Sequence, residues 1–139
     1  MTNILEAIYN IVNQNDFKIR ALYSGRNRAN SMGEALEKYI KDVFADTLGV
    51  ESEAERMKVY NRKFSWLGSQ NNPPDIMIKG GDAIEVKKTQ SAKSSLALNS
   101  SYPKADLRHT SPMITKECKE CEEWTVKDLI YCVGHTTDT

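Results

Sequence analysis

Asn71-Asn72-Pro73-Pro74-Asp75-Ile76-Met77-Ile78-Lys79-Gly80-Gly81-Asp82-Ala83-Ile84-Glu85-Val86-Lys87-Lys88-Thr89 is the stretch that orders the rest of the chain. Asn71-Asn72-Pro73-Pro74 interrupts any regular element before it. Gly80-Gly81 separates two strand candidates, Asp75 to Lys79 and Ala83 to Thr89, as in a β-hairpin. Side chains alternate along a strand, so Glu85 and Lys87 share a face while Val86 turns to the other. Register decides where Asp75 goes. A symmetric two-residue loop at Gly80-Gly81 pairs Asp75 with Val86 and puts its carboxylate on the wrong face. A three-residue loop, Lys79-Gly80-Gly81, sets Asp75 opposite Glu85, with Gly81 in the third position supplying the positive φ of a bulged turn.

In the second register two carboxylates and an ammonium converge, and that trio suits phosphodiester hydrolysis. Asp75 and Glu85 can share a hard divalent ion, typically Mg²⁺, which also takes a phosphate oxygen as ligand. Lys87 can orient the attacking water and stabilise the developing negative charge. A surface hairpin with a cross-strand Lys/Glu pair, worth about 0.2–1 kcal/mol, is the plainer explanation. Placement after Pro73-Pro74, behind an acidic helix, favours catalysis.

Toward the N-terminus, Ile4, Leu5, Ile8, Ile11 and Val12 mark one face of a helix. Residues 17–33 carry Lys18, Arg20, Arg26 and Arg28 without an acid, with a loop signal at Ser24-Gly25. Arg26 and Arg28 are the DNA-contact candidates of this segment. Ser31-Met32-Gly33-Glu34 fits a capping box. Leu36, Tyr39, Ile40, Val43 and Phe44 then repeat at helical spacing, and Gly49 marks the exit. Residues 51–60 are helix-prone and weakly amphipathic. Capping alone explains Glu34.

Toward the C-terminus, residues 90–112 are rich in Ser, Asn and Pro and predict a long loop. Lys87, Lys88, Lys93, Lys104 and Arg108 are interleaved there with hydroxyl and amide side chains. Lys88, Asn99, Ser101, Lys104 and Arg108 therefore suit contacts to phosphates and base edges. After the acidic stretch Glu117 to Glu123, Val126 to Val133 predicts a strand buried on both faces. Cys118, Cys121, Cys132 and His135 follow C-x2-C-x10-C-x2-H, a spacing compatible with zinc.

Composition narrows the class. In 139 residues, 19 basic and 19 acidic side chains cancel, so a nucleic-acid surface must arise by local segregation of charge. No run approaches the roughly 18 apolar residues of a membrane span, and the start lacks the pattern of a signal peptide. Three cysteines without a secretory context predict reduced thiols in a cytosol.

Pro74-Asp75 and Glu85-Val86-Lys87, behind the helix Ser31-Met32-Gly33-Glu34-Ala35-Leu36-Glu37, resemble the PD-(D/E)xK nuclease superfamily, and more narrowly type II restriction endonucleases of the NgoPII-like kind. The loop Leu98 to Lys104 and the strand Lys127 to Gly134 are similar to that group too, so the resemblance covers residues 22–134. It implies one α/β domain over residues 1–139 with a restriction-endonuclease-like core, a short mixed β-sheet flanked by helices. It further implies Mg²⁺-dependent cleavage of double-stranded DNA at GGCC by a homodimer in the prokaryotic cytoplasm. By that resemblance Asp75 and Glu85 are metal ligands, Lys87 is the catalytic lysine and Glu34 supports a metal water. Such enzymes are usually longer, with at least a fourth strand and a second flanking helix, so the chain is expected to be either an N-terminal fragment or a minimal form. Holliday junction resolvases share the PD…ExK arrangement and give an alternative substrate. A non-catalytic, zinc-stabilised DNA-binding module is an alternative of another class.

Overall fold

A computed structural model describes residues 3–14, 32–89 and 104–135, in two compact units, residues 1–64 and 65–139. The first unit holds α1 (Ile4–Val12), α2 (Met32–Ala45) and α3 (Glu53–Lys63). Each follows from local chemistry. The Asn3 side chain accepts from the Glu6 N–H at 3.0 Å and Ser52 from the Glu55 N–H at 3.3 Å, satisfying amides that have no intrahelical partner. The stripe Leu36, Tyr39, Ile40, Val43 and Phe44 is buried, as its spacing requires. The exit of α2 differs from the expected Gly49. Asp46 takes the left-handed conformation at φ 59°, and the Thr47 N–H reaches back to the Asp42 carbonyl at 3.0 Å, closing the helix three residues early.

Asp42 is the centre of this unit. Tyr60 and Thr47 hydroxyls both donate to its Oδ1, and Arg56 Nε stands 3.4 Å from the same oxygen. The apolar residues of α1 behave differently from their pattern: Leu5 and Val12 are 73% and 74% exposed, and only Ala7 of that helix is fully buried. Two polar links hold α1 instead, Asn10 Nδ2 to the Val43 carbonyl at 2.7 Å and Glu6 to Lys63 at 3.5 Å.

The second unit is built on a five-stranded mixed sheet, ordered β1-β2-β3-β5-β4. Its strands are β1 (Phe64–Trp66), which starts at the unit boundary, β2 (Ile76–Ile78), β3 (Ala83–Thr89), β4 (Asp106–Arg108) and β5 (Val126–His135); α4 (Lys116–Glu120) precedes β5. β2 and β3 are antiparallel, β3 and β5 parallel from Ala83↔Leu129 to Thr89↔His135, and β4 and β5 antiparallel. The α/β expectation holds, with the hairpin at the middle of the sheet.

Three sequence expectations change. β4 and α4 lie where a loop and an acidic stretch were expected. β5 is not buried on both faces: Val126 and Val133 are about half exposed, and its one fully buried residue is Lys127. One face of the sheet packs Met77 and Ala83 with Leu107, Ile114 and Cys118, walled by Trp66, Trp124 and Leu129. No helix of the described residues is long and apolar enough to cross a membrane.

Candidate active site

The hairpin register decides whether the candidate residues meet. Ile76 pairs with Ile84 and Met77 with Ala83, and the Ile78 N–H donates to the Asp82 carbonyl at 2.9 Å, so the connection is the three-residue one; Asp75 enters just before the paired residues, beside Glu85. Its turn differs in one detail from the expectation. The Gly81 N–H donates to the Ile78 carbonyl at 2.9 Å, and positive φ falls on Gly80, at 69°, not on Gly81. Glycine is therefore needed at the third position of a four-residue turn, as in type II geometry. A Cβ at Gly81 would instead press on Ile78 at 3.0 Å.

Asp75, Glu85 and Lys87 line one open cleft of roughly 370 Å³. Asp75 is fixed from its own backbone: its N–H donates to the Ile84 carbonyl at 3.1 Å, and its Oδ2 accepts from the Val86 N–H at 2.7 Å. Trp66 Nε1 donates to the Pro74 carbonyl at 3.1 Å and holds the entry to β2. Glu85 is only 5% exposed. Its Oε2 stands 3.4 Å from Lys87 Nζ, whereas Oε1 is buried and has no hydrogen-bond partner among the described residues. Burial first, and then the charge of Asp75, push the Glu85 carboxyl above its ordinary range; Lys87 and, more weakly, the Asp75 backbone N–H act against both.

A buried carboxylate oxygen without a donor, facing a second carboxylate in a water-accessible cleft, is a poor resting arrangement for protein alone. It is a good one for a hard cation, which takes oxygen ligands and removes the repulsion that raises the Glu85 carboxyl. The residues present therefore fit a divalent ion shared by Asp75 and Glu85.

A polar clasp fixes the far end of the hairpin. Buried Lys127 donates from Nζ to the carbonyls of Ile78 at 2.9 Å and Gly81 at 2.8 Å and pairs with Glu122 at 3.0 Å. Glu122 in turn accepts from the Gly80 N–H at 3.2 Å. Although burial opposes it, the neighbouring Ser65 hydroxyl, Lys127 and the Gly80 N–H hold the Glu122 carboxyl below its usual range. Neither residue stands out in the sequence, where a lysine in a strand and a glutamate in an acidic run suggest solvated charge.

A family model for the NgoPII restriction endonuclease matches residues 2–139. The chain belongs to the NgoPII restriction endonuclease family. It is 46% identical over 132 residues to the type II restriction enzyme NgoPII of Neisseria gonorrhoeae, covering 95% of this chain and 47% of that protein. It thus spans about half the length of the curated relative it matches. No solved structure matches it.

The remaining candidates of this NgoPII-family chain are dispersed. Glu34 lies on α2 in the first unit, 3.9 Å from Lys38 one turn on. Lys88 is exposed on β3 and alternates away from Lys87. Lys104 is exposed, its N–H donating to the Tyr131 hydroxyl at 3.2 Å; exposed Arg108 pairs with Asp106 at 3.2 Å. Arg26, Arg28, Asn99 and Ser101 lie outside the described residues.

The structure does not bring the four zinc candidates together. Among the described residues no group of three or more His, Cys, Asp or Glu is placed to hold a metal. At about 3.3 Å per residue, Cys132 and His135 are carried far along β5 from Lys127, beside which Cys118 sits. Cys118 is wholly buried, its thiol directed at Met77 Sδ at 3.3 Å, and burial pushes it up to about 12. Cys132 pairs with Val86 in the sheet, its thiol pushed up to about 11 by burial, and His135 Nδ1 meets the Thr89 hydroxyl at 3.1 Å. These thiols are packing groups.

Proposed function

We propose that this chain carries the catalytic centre of a Mg²⁺-dependent type II restriction endonuclease, acting as a homodimer on double-stranded DNA in the prokaryotic cytoplasm. The site GGCC follows from the family resemblance. The observation that supports this best is Glu85: a buried carboxylate with an oxygen unpartnered among the described residues, beside Asp75 and Lys87 in one cleft.

Asp75 and Glu85 would hold the ion. When bound, it polarises the phosphoryl oxygens and offsets charge on the leaving oxygen. Lys87 then orients the attacking water and stabilises the charge that develops on the phosphate. Asp75 keeps its position through the Val86 amide, so its carboxylate presents a fixed edge to the cleft.

The test is cleavage of a plasmid carrying GGCC sites, with and without Mg²⁺, beside the thermal shift produced by Mg²⁺. Cleavage only with the ion, and a shift abolished in Glu85→Gln, are expected. An intact plasmid together with an unchanged melting temperature overturns the proposal.

A further inference from the structure

The segment between β1 and β2 contributes a wall of the cleft that the catalytic residues leave unexplained. Ser69, Gln70, Asn71 and Asn72 line the same cavity as Asp75, Glu85 and Lys87. In sequence this segment is only an interruption before Pro73-Pro74. In the structure it is built and held at several points. Gly68 has φ +104°, and a Cβ there would come within 2.8 Å of the Asp75 carbonyl oxygen, so glycine lets the loop lie directly against the backbone of that residue. Ser69 Oγ accepts from the Asn72 N–H at 3.2 Å, which closes the tip. Asn72 Nδ2 donates to the Met113 carbonyl at 2.8 Å and ties the loop to the segment before α4.

Between these anchors stand Gln70 and Asn71. Both are exposed, and among the described residues neither side chain bonds to another group of the chain. Two exposed amides beside the carboxylates, on a loop anchored by its neighbours, are placed to meet something that enters. The charge of the cleft says what. Without a cation, two carboxylates and one lysine leave it net negative, which opposes a phosphate chain. Amides offer donors to phosphate oxygens without drawing a proton or a charge from Asp75, Glu85 or Lys87.

We propose that Gln70 and Asn71 are positioning residues that donate hydrogen bonds to the DNA sugar-phosphate backbone flanking the scissile bond. This rests on the nuclease reading of the cleft. Backbone contact predicts a loss that is independent of sequence. It also predicts an unchanged salt slope, because a neutral amide displaces no counterion.

The test measures binding apart from cleavage, in the absence of divalent ions, with one duplex carrying GGCC and one lacking it. Gln70→Ala with Asn71→Ala should weaken both duplexes alike, roughly 10-fold together, at constant slope of affinity against salt. Gln70→Asn with Asn71→Gln, which keeps the donors, should recover a part of that loss. Gln70→Glu with Asn71→Asp, which replaces donors by charge, should bind more weakly than the alanine pair at low salt. A loss confined to the GGCC duplex would make the amides base readers and overturn the backbone assignment. Unchanged affinity for both duplexes would overturn it as well. A thermal melt of each variant confirms that these exposed changes leave the fold intact. Failure of Mg²⁺-dependent cleavage would count against the nuclease reading separately, since none of these affinities depends on turnover.

Discussion

Asp42 and Glu85 are both buried carboxylates, 1% and 5% exposed, and the chain treats them in opposite ways. Around Asp42 two hydroxyls and a guanidinium converge, so the burial of its charge is compensated by groups from α3 and the turn after α2. Around Glu85 one ammonium stands at 3.4 Å and a second carboxylate is nearby. Removing a charge from water costs several kcal/mol, and only close partners offset it. The Asp42 oxygens are therefore served within the folded chain, whereas Glu85 keeps an oxygen that no donor reaches among the described residues. A search for function by burial alone would rank the two together; satisfaction of the oxygens separates them.

The contrast can be broken from either side. Asp42→Ala leaves Arg56 buried without its carboxylate and should lower the unfolding free energy by about 3–5 kcal/mol. Chemical denaturation would show it, and a loss below about 1 kcal/mol would mean that Asp42 is not the stabilising member. Lys87→Ala should reduce single-turnover cleavage by about 10²–10³ at nearly unchanged DNA affinity. Lys88→Ala, on the opposite face of the same strand, should weaken binding modestly and spare the chemical step. Equal losses for both lysines would reduce the pair to an attraction for phosphate.

Glu85→Gln gives the smallest but sharpest reading. Because the native carboxyl lies above its ordinary range, the folded state holds a proton that the unfolded chain has already released. Between the ordinary and the raised value, wild-type stability without metal should fall as pH rises. It stays lower above that window, where the folded chain must carry the charge. The glutamine variant should lack this component and be the more stable protein at neutral pH. Adding Mg²⁺ should reverse the order, stabilising only the wild type. Parallel pH curves for the two proteins would show that Glu85 is no less comfortable than Asp42.

Much of this arrangement was legible in the residues. The periodicity of α2 and the two runs around Gly80-Gly81 carried their own placement, and one pair of alternative loop lengths reduced the position of Asp75 to a single choice. The turn type was not legible, since either glycine accepts a positive φ and only the Ile78–Gly81 bond selects Gly80. β4 was hidden because its three residues contain one apolar side chain, Leu107; pairing with β5, not propensity, makes it a strand. Lys127 was hidden for the opposite reason. A lysine is buried only where several acceptors meet, and its acceptors come from positions far away in sequence. The cysteine pattern did not translate into proximity because spacing along a chain carries no information about reach along a strand. Loop 69–72 was read as punctuation, and only the folded cleft shows its amides beside the carboxylates.

The clasp on the glycine turn also shapes how the hairpin opens. Gly80 and Gly81 sit at the surface side of a turn, where amide protons normally exchange with solvent at almost the rate of an open chain. Here the Gly80 N–H is held by Glu122, the Gly81 N–H by Ile78, and the Ile78 N–H by Asp82, while Lys127 occupies the carbonyls of Ile78 and Gly81. Exchange at these amides requires the Lys127–Glu122 link to part as well. The turn that joins Asp75 to Glu85 therefore opens together with the start of β5, as one cooperative piece, and the two carboxylates keep their spacing through the small fluctuations that loosen ordinary loops.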